Sequence, residues 1–171
     1  MISENSTKIR RICFTGLLFA LALVLSVVEA SLPIPVPVPG VRFGLSNIVV
    51  MYSLFFLTKR DALLLVLLKG LFVLATRGVT AGFLSFCGGV LSITVLLILL
   101  FLFKNKLSYL LLSISGAVFH NIGQYFAIYV IYRIWLVPYL PVLILSGIVA
   151  GFVTSVLLKT VLPVLQKLHL K

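Results

Sequence analysis

An all-α polytopic membrane protein, a bundle of six transmembrane helices, is the fold the sequence predicts, and three observations predict it. Of its 171 residues 62% are hydrophobic and 10% are charged, and the mean hydropathy is +1.29. A soluble domain of this length buries a core, but it cannot hide that much apolar surface behind a charged exterior. The apolar residues fall in runs close to the ~20 needed to cross about 30 Å of hydrocarbon. The cations sit in small groups between these runs, so the net charge of +11 points to membrane topology and not to nucleic acid.

The spans are expected at about 12–30, 41–57, 61–76, 81–103, 107–132 and 141–165, within one integral membrane domain covering 1–171. Alternate connections differ in basic residues, as the positive-inside rule requires. Lys8, Arg10 and Arg11, then Lys59 and Arg60, then Lys104 and Lys106, then Lys159, Lys167 and Lys171 fall on one side; Arg42, Arg77 and Arg133 fall on the other. Both termini are therefore expected in the cytoplasm, and the expected location is the bacterial plasma membrane. A secretory signal peptide is the competing account of the N-terminus, but the first apolar run is long for one.

Span one carries small residues at four-residue steps, Gly16 with Ala20 and Ala22 with Ser26 and Ala30. Such residues let another helix approach closely, either within the chain or from a separate membrane subunit. Cys13 and Cys87 lie in separate apolar runs and read as packing residues. After span one, prolines at positions 33, 35, 37 and 39 cannot continue a helix and favour a stiff extended strap, either a connector or a lid over an outward-facing cavity. Asp61, the only Asp, begins span three, where a carboxylate complements the helix dipole.

Lys69 falls inside span three. An ammonium at that depth costs roughly 2.5–3.5 kcal/mol unless it is paired or snorkels. Glu29 is the acid available to it, and Thr76 and Arg77 share its helical face. Lys69, Arg77, Arg42 and Arg133 together are candidates for an outward-facing basic cavity that takes an anionic ligand. Span five carries a polar stripe, Ser113, Gly116, Ala117, His120, Asn121 and Gln124, at three- and four-residue steps. This stripe either ties helices together or lines a ligand pocket through His120, Asn121 and Gln124. Span six repeats the small-residue pattern at Gly147, Gly151 and Ser155.

Several chemistries lack their groups. Magnesium-dependent prenyl or phosphoryl transfer needs acidic clusters, and the chain has Glu4, Glu29 and Asp61 as its only acids. No P-loop is present, and His120 and His169 do not assemble a zinc site or a nucleophile triad. No metal or other cofactor is expected, and the chain reads as a non-enzyme.

The run Pro39-Gly40-Val41-Arg42-Phe43-Gly44-Leu45-Ser46-Asn47-Ile48-Val49, followed by Lys59-Arg60-Asp61-Ala62-Leu63, resembles the signature of the Gx transporter family. That family is also labelled heptaprenyl diphosphate synthase component I, and it resembles the substrate-binding S components of energy-coupling factor (ECF) transporters. Arg42, Phe43 and Ser46 replace the commoner Lys, Leu and Ala of the motif.

The resemblance implies a six-helix S component that captures a small vitamin-like molecule outside the cell. It would deliver that molecule with a transmembrane coupling subunit and two ATPase subunits. It also implies that the proline strap, the Arg77–Thr80 turn and the Arg133–Leu140 connection cover the ligand, that span one meets the coupling subunit, and that Asn47 joins Lys69, Arg77, His120, Asn121 and Gln124 as a ligand-binding residue. An isoprenoid or quinone precursor fits apolar walls with outer arginines. Two other functions compete: a component of heptaprenyl diphosphate or menaquinone synthesis, and a membrane assembly factor without a small-molecule ligand. A partly polar interior cavity favours transport over assembly.

Overall fold

The structure, a computed structural model, describes residues 4–31, 46–104, 106–135 and 137–169. The proline strap and Arg42 lie outside the described residues. The order is α1 (Glu4–Ser31), α2 (Asn47–Phe56), α3 (Lys59–Arg77), α4 (Val79–Leu102), α5 (Tyr109–Tyr132) and α6 (Leu140–His169), with a short 3-10 turn at Val137–Tyr139 before α6. No strand occurs among the described residues.

Helix α3 begins at a reciprocal cap. The Thr58 hydroxyl accepts from the Asp61 amide at 3.3 Å, and the Thr58 amide donates to Asp61 Oδ2 at 3.2 Å. Two orphan donors are thereby satisfied, and the carboxylate lies at the positive end of the helix dipole. Arg11 of α1 adds two hydrogen bonds of 2.9 Å to the same carboxylate. The expected dipole role of Asp61 thus comes with an interhelical tie.

One residue turns α3 into α4. Gly78 has φ 87°, a conformation unfavourable for any residue with a Cβ, and it closes α3 by donating to Leu74 O. The two helices then run antiparallel in contact, with Gly82 against Leu74 and Gly89 against Val66. A cap by Ser108, whose hydroxyl accepts from the Leu111 amide, starts α5, and Arg133 ends it in the left-handed conformation at φ 57°.

Small residues set how closely the long helices approach. A Cβ on Gly123 would come within 2.8 Å of Gly88 Cα and of the Cys87 carbonyl, so α4 and α5 pack nearly backbone to backbone. On α6, Gly147 lies against Val118 of α5 and Gly151 against Ile114, and Ser155 is buried. The small-residue pattern of span six therefore serves packing within the chain. Helix α2 occupies the interior: Ile48 through Leu54 are all buried, and it touches α1, α3 and α6. A helix buried all round has no exposed stripe to mark it in the sequence.

Among the described residues, three helical stretches are long and apolar enough to cross a membrane: Lys8–Glu29, Val79–Leu102 and Val137–Thr160. The expected second span is a helix of 10 residues, Asn47–Phe56, about 15 Å long at 1.5 Å per residue. That length does not cross the hydrocarbon alone, and positions 41–45 of that span lie outside the described residues. Helices α3 and α5, at 19 and 24 residues, are long enough but carry the ionic and polar groups of the candidate site.

Span one divides into two faces. Ala22 and Ser26 are buried against the bundle, whereas Gly16 and Ala20 are exposed, and a Cβ on Gly16 meets nothing within 4 Å. Packing within the chain therefore accounts for Ala22 and Ser26 and not for Gly16 and Ala20. Cys13 is exposed on the open side as well, which corrects its reading as a packing residue. The cause is rotation: α1 contacts only α2 and α3 closely, so its opposite face stays uncovered.

Candidate functional site

A buried ammonium marks the site. Lys69, in the middle of α3, is 8% exposed, and its Nζ donates to Asn47 Oδ1 at 2.9 Å. Asn47 is the first residue of α2, so the interior helix begins where α3 carries its charge. His120 on α5 stands within electrostatic reach of Lys69, and its ring lies against Gly88 of α4. Gly88 makes room for this arrangement: a Cβ there would lie 2.9 Å from His120 Cε1 and 3.0 Å from Gln124 Cγ.

Three polar atoms of this group lack a hydrogen-bond partner: Asn47 Nδ2, His120 Nδ1 and Gln124 Oε1. His120 and Gln124 are 4% and 6% exposed. Buried polar atoms are nearly always satisfied, because an unmade bond costs about 1–3 kcal/mol. Beside Asn47 lies an interior cavity of about 10 Å³, bordered by Met51, Ser92, Ser113 and Thr154. A space of that size holds about one water. It is partly polar, so the interior is not solid hydrocarbon, and His120 and Gln124 lie outside its lining.

The other predicted residues are held elsewhere. Asn121 donates to the Leu143 carbonyl and the Ser146 hydroxyl, at 2.9 and 3.2 Å, and so ties α5 to α6. Its neighbour His120 points to α4 because successive helical residues are turned by about 100°. Arg77, at the end of α3, donates to the Ser26 carbonyl of α1 at 2.7 Å. Thr76 is exposed and bonds its own helix at Phe72 O, so it does not join Lys69. Arg133 is exposed at the end of α5. Lys69, Arg77 and Arg133 therefore occupy three different places. Glu29 is buried, 3% exposed, one turn beyond Ser26.

Sequence reasoning missed Ser92, whose hydroxyl donates to the Gly116 carbonyl at 2.8 Å, and Thr154, buried beside the cavity. Each is one of several hydroxyls in a long apolar helix, and no motif distinguishes it from the others. Chemically, the group offers one cation, one amide donor, one amide acceptor and an imidazole. That set suits a small polar or anionic molecule. It includes no nucleophile paired with a base, and no group of three or more metal-binding side chains occurs among the described residues.

Comparison with known families gives a match over residues 18–161 to the family described as heptaprenyl diphosphate synthase component I. No curated protein and no solved structure matches the chain.

Proposed function

Because the chain belongs to the heptaprenyl diphosphate synthase component I family, we propose that it is the membrane-embedded substrate-binding component of a larger assembly, S-component-like, and that it holds a small polar or anionic molecule at Lys69, Asn47, His120 and Gln124. One observation carries this reading: a buried ammonium is held by Asn47, whose Nδ2 is left without a partner, as are His120 Nδ1 and Gln124 Oε1 on the facing helix. A ligand that supplies an acceptor to Asn47 and a donor to Gln124 offsets their desolvation. Because the cavity holds about one water, entry of a larger molecule requires α2 to move away from α4 and α5.

In this reading all six helices cross or enter the bilayer with both termini in the cytoplasm. The outward face of α3 is leucine at positions 63, 64, 67, 71 and 74, a surface suited to lipid. A transmembrane coupling subunit and ATPase subunits supply the energy that this chain lacks the groups to extract.

The experiment is native mass spectrometry of the full chain purified in detergent. A co-purified small molecule, lighter than a phospholipid, is expected with the wild type and lost in Lys69→Met. Equal retention by both proteins, or none by either, removes the proposal. A second reading, a membrane component that supports prenyl diphosphate synthesis, draws on the family description. Prenyl transfer by the chain together with a soluble partner would favour it.

A further inference from the structure

A second cavity lies at the opposite, basic end of the bundle and belongs to none of the residues above. It is a cleft of about 940 Å³ between the α2–α3 and α4–α5 connections, within the roughly 300–1,000 Å³ typical of small-molecule sites. Phe55, Phe56, Leu100 and Phe101 line it, and the buried Leu54 and Leu112 close its inner end. Phe55 and Tyr109 meet edge to face at 5.2 Å and brace one side. Among the described residues, the only ionic groups on its lining are two lysines, Lys59 and Lys104, both exposed. Along α3 the cleft at Lys59 lies about 15 Å from Lys69, at 1.5 Å per residue.

Lys104 has φ 46°, a left-handed conformation that glycine or asparagine takes more easily than lysine. The turn that ends α4 in this way, as Arg133 ends α5, sets Lys104 at the cleft. Apolar walls with cations at the edge match a hydrocarbon chain that ends in an anion, and a phosphate offers two lysines more charge and more acceptor oxygens than a carboxylate does.

We propose that this cleft binds a phosphate-headed amphiphile, with its chain between Phe55, Phe56 and Phe101 and its phosphate on Lys59 and Lys104. The head rests at the end of the helices where the cations gather, and the chain extends toward the buried leucines. The same chemistry is offered by an anionic phospholipid of the bilayer and by a single-chain alkyl phosphate. The site is independent of Lys69, and neither depends on the other being occupied.

The test uses the full chain in detergent and native mass spectrometry with four probes: dodecyl phosphate, dodecanol, inorganic phosphate, and an equimolar mixture of phosphatidylglycerol and phosphatidylcholine. The wild type is expected to retain dodecyl phosphate over dodecanol and inorganic phosphate. Retention is expected to fall about tenfold in Lys59→Gln/Lys104→Asn, as loss of two charge-assisted contacts implies, and to survive Lys59→Arg. Leu107→Trp, which fills the cleft and leaves both lysines in place, is expected to abolish it. Displacement of dodecyl phosphate by phosphatidylglycerol assigns the site to a bilayer lipid, and failure to displace it assigns the site to a single-chain phosphate; both support the cleft. Equal retention by the wild type and by the folded double variant, equal retention of dodecanol, or no retention by the wild type overturns it. Unchanged melting temperatures establish that the variants fold.

Discussion

Arg11 and Asp61, 50 residues apart in sequence, meet side chain to side chain, with Arg11 Nη2 2.8 Å from Asp61 Oδ2. Arg77 makes a second tie between the same two helices, to the Ser26 carbonyl. The stretch from Arg11 to Ser26 on α1 nearly matches that from Asp61 to Arg77 on α3, about 23 Å against about 24 Å at 1.5 Å per residue. The two helices therefore run parallel and in register, which puts the basic starts of α1 and α3 at one end of the bundle. The antiparallel α3–α4 hairpin brings Lys104 to that same end, beside Lys59. The spatial gathering of cations follows from these pairings.

Thr58 and Asp61 hold the start of α3, so Thr58→Ala is expected to lower stability by about 1 kcal/mol, the usual worth of an N-cap. Arg11→Ala is expected to lower the melting temperature more at low salt than at high salt, because Arg11 is half-exposed while Asp61 is buried, so salt screens the pair in part. Thermal unfolding in detergent at two ionic strengths checks both. A salt-independent effect of Arg11→Ala would argue against the pair.

Gly123 and Gly151 occupy contacts with no room for a methyl group. Alanine at either is expected to destabilise by about 1–3 kcal/mol through overpacking. Gly16→Ala, on the open face of α1, is expected to be neutral or stabilising by up to about 1 kcal/mol, since alanine is the better helix former and meets nothing there. Equal losses at positions 16 and 123 would contradict the assignment of faces.

Asn47→Leu removes a charge-assisted hydrogen bond from Lys69 and is expected to cost about 1.5–3 kcal/mol. The double variant Asn47→Leu/Lys69→Met is expected to cost less than the sum of the single changes, because neighbours in one interaction are not additive. A double-mutant cycle by thermal unfolding measures this coupling, and strict additivity would remove it.

Topology has a direct check in cells after Cys13 and Cys87 are replaced by alanine. With Lys106→Cys, an impermeant thiol reagent added outside is expected to leave the protein unlabelled; with Arg133→Cys it is expected to label it. The two positions stand at opposite ends of α5. Labelling at 106 from outside intact cells would reverse the proposed orientation.

The amino-acid sequence by itself determined the class of protein, the helical runs and the approximate ends of most of them. Hydropathy and charge spacing are properties of contiguous residues, so length, composition and a helix start near Asp61 are legible in one dimension, whereas its cap by Thr58 is seen in the structure. It also determined that the stripe from Ser113 to Gln124 is buried, because polar side chains at helical spacing in an apolar run must face protein. What only the tertiary structure decided is how each helix is rotated and how far it slides along its neighbours. That choice gives Lys69 to Asn47, Arg77 to Ser26 and Asn121 to α6, leaves Gly16 open while Ala22 is covered, and opens the cleft between Phe56 and Phe101. The physical reason is that helices apolar on nearly every side carry little periodic signal of their orientation. Close contacts at Gly88, Gly123 and Gly151 set it instead, and these exist only once two helices have met.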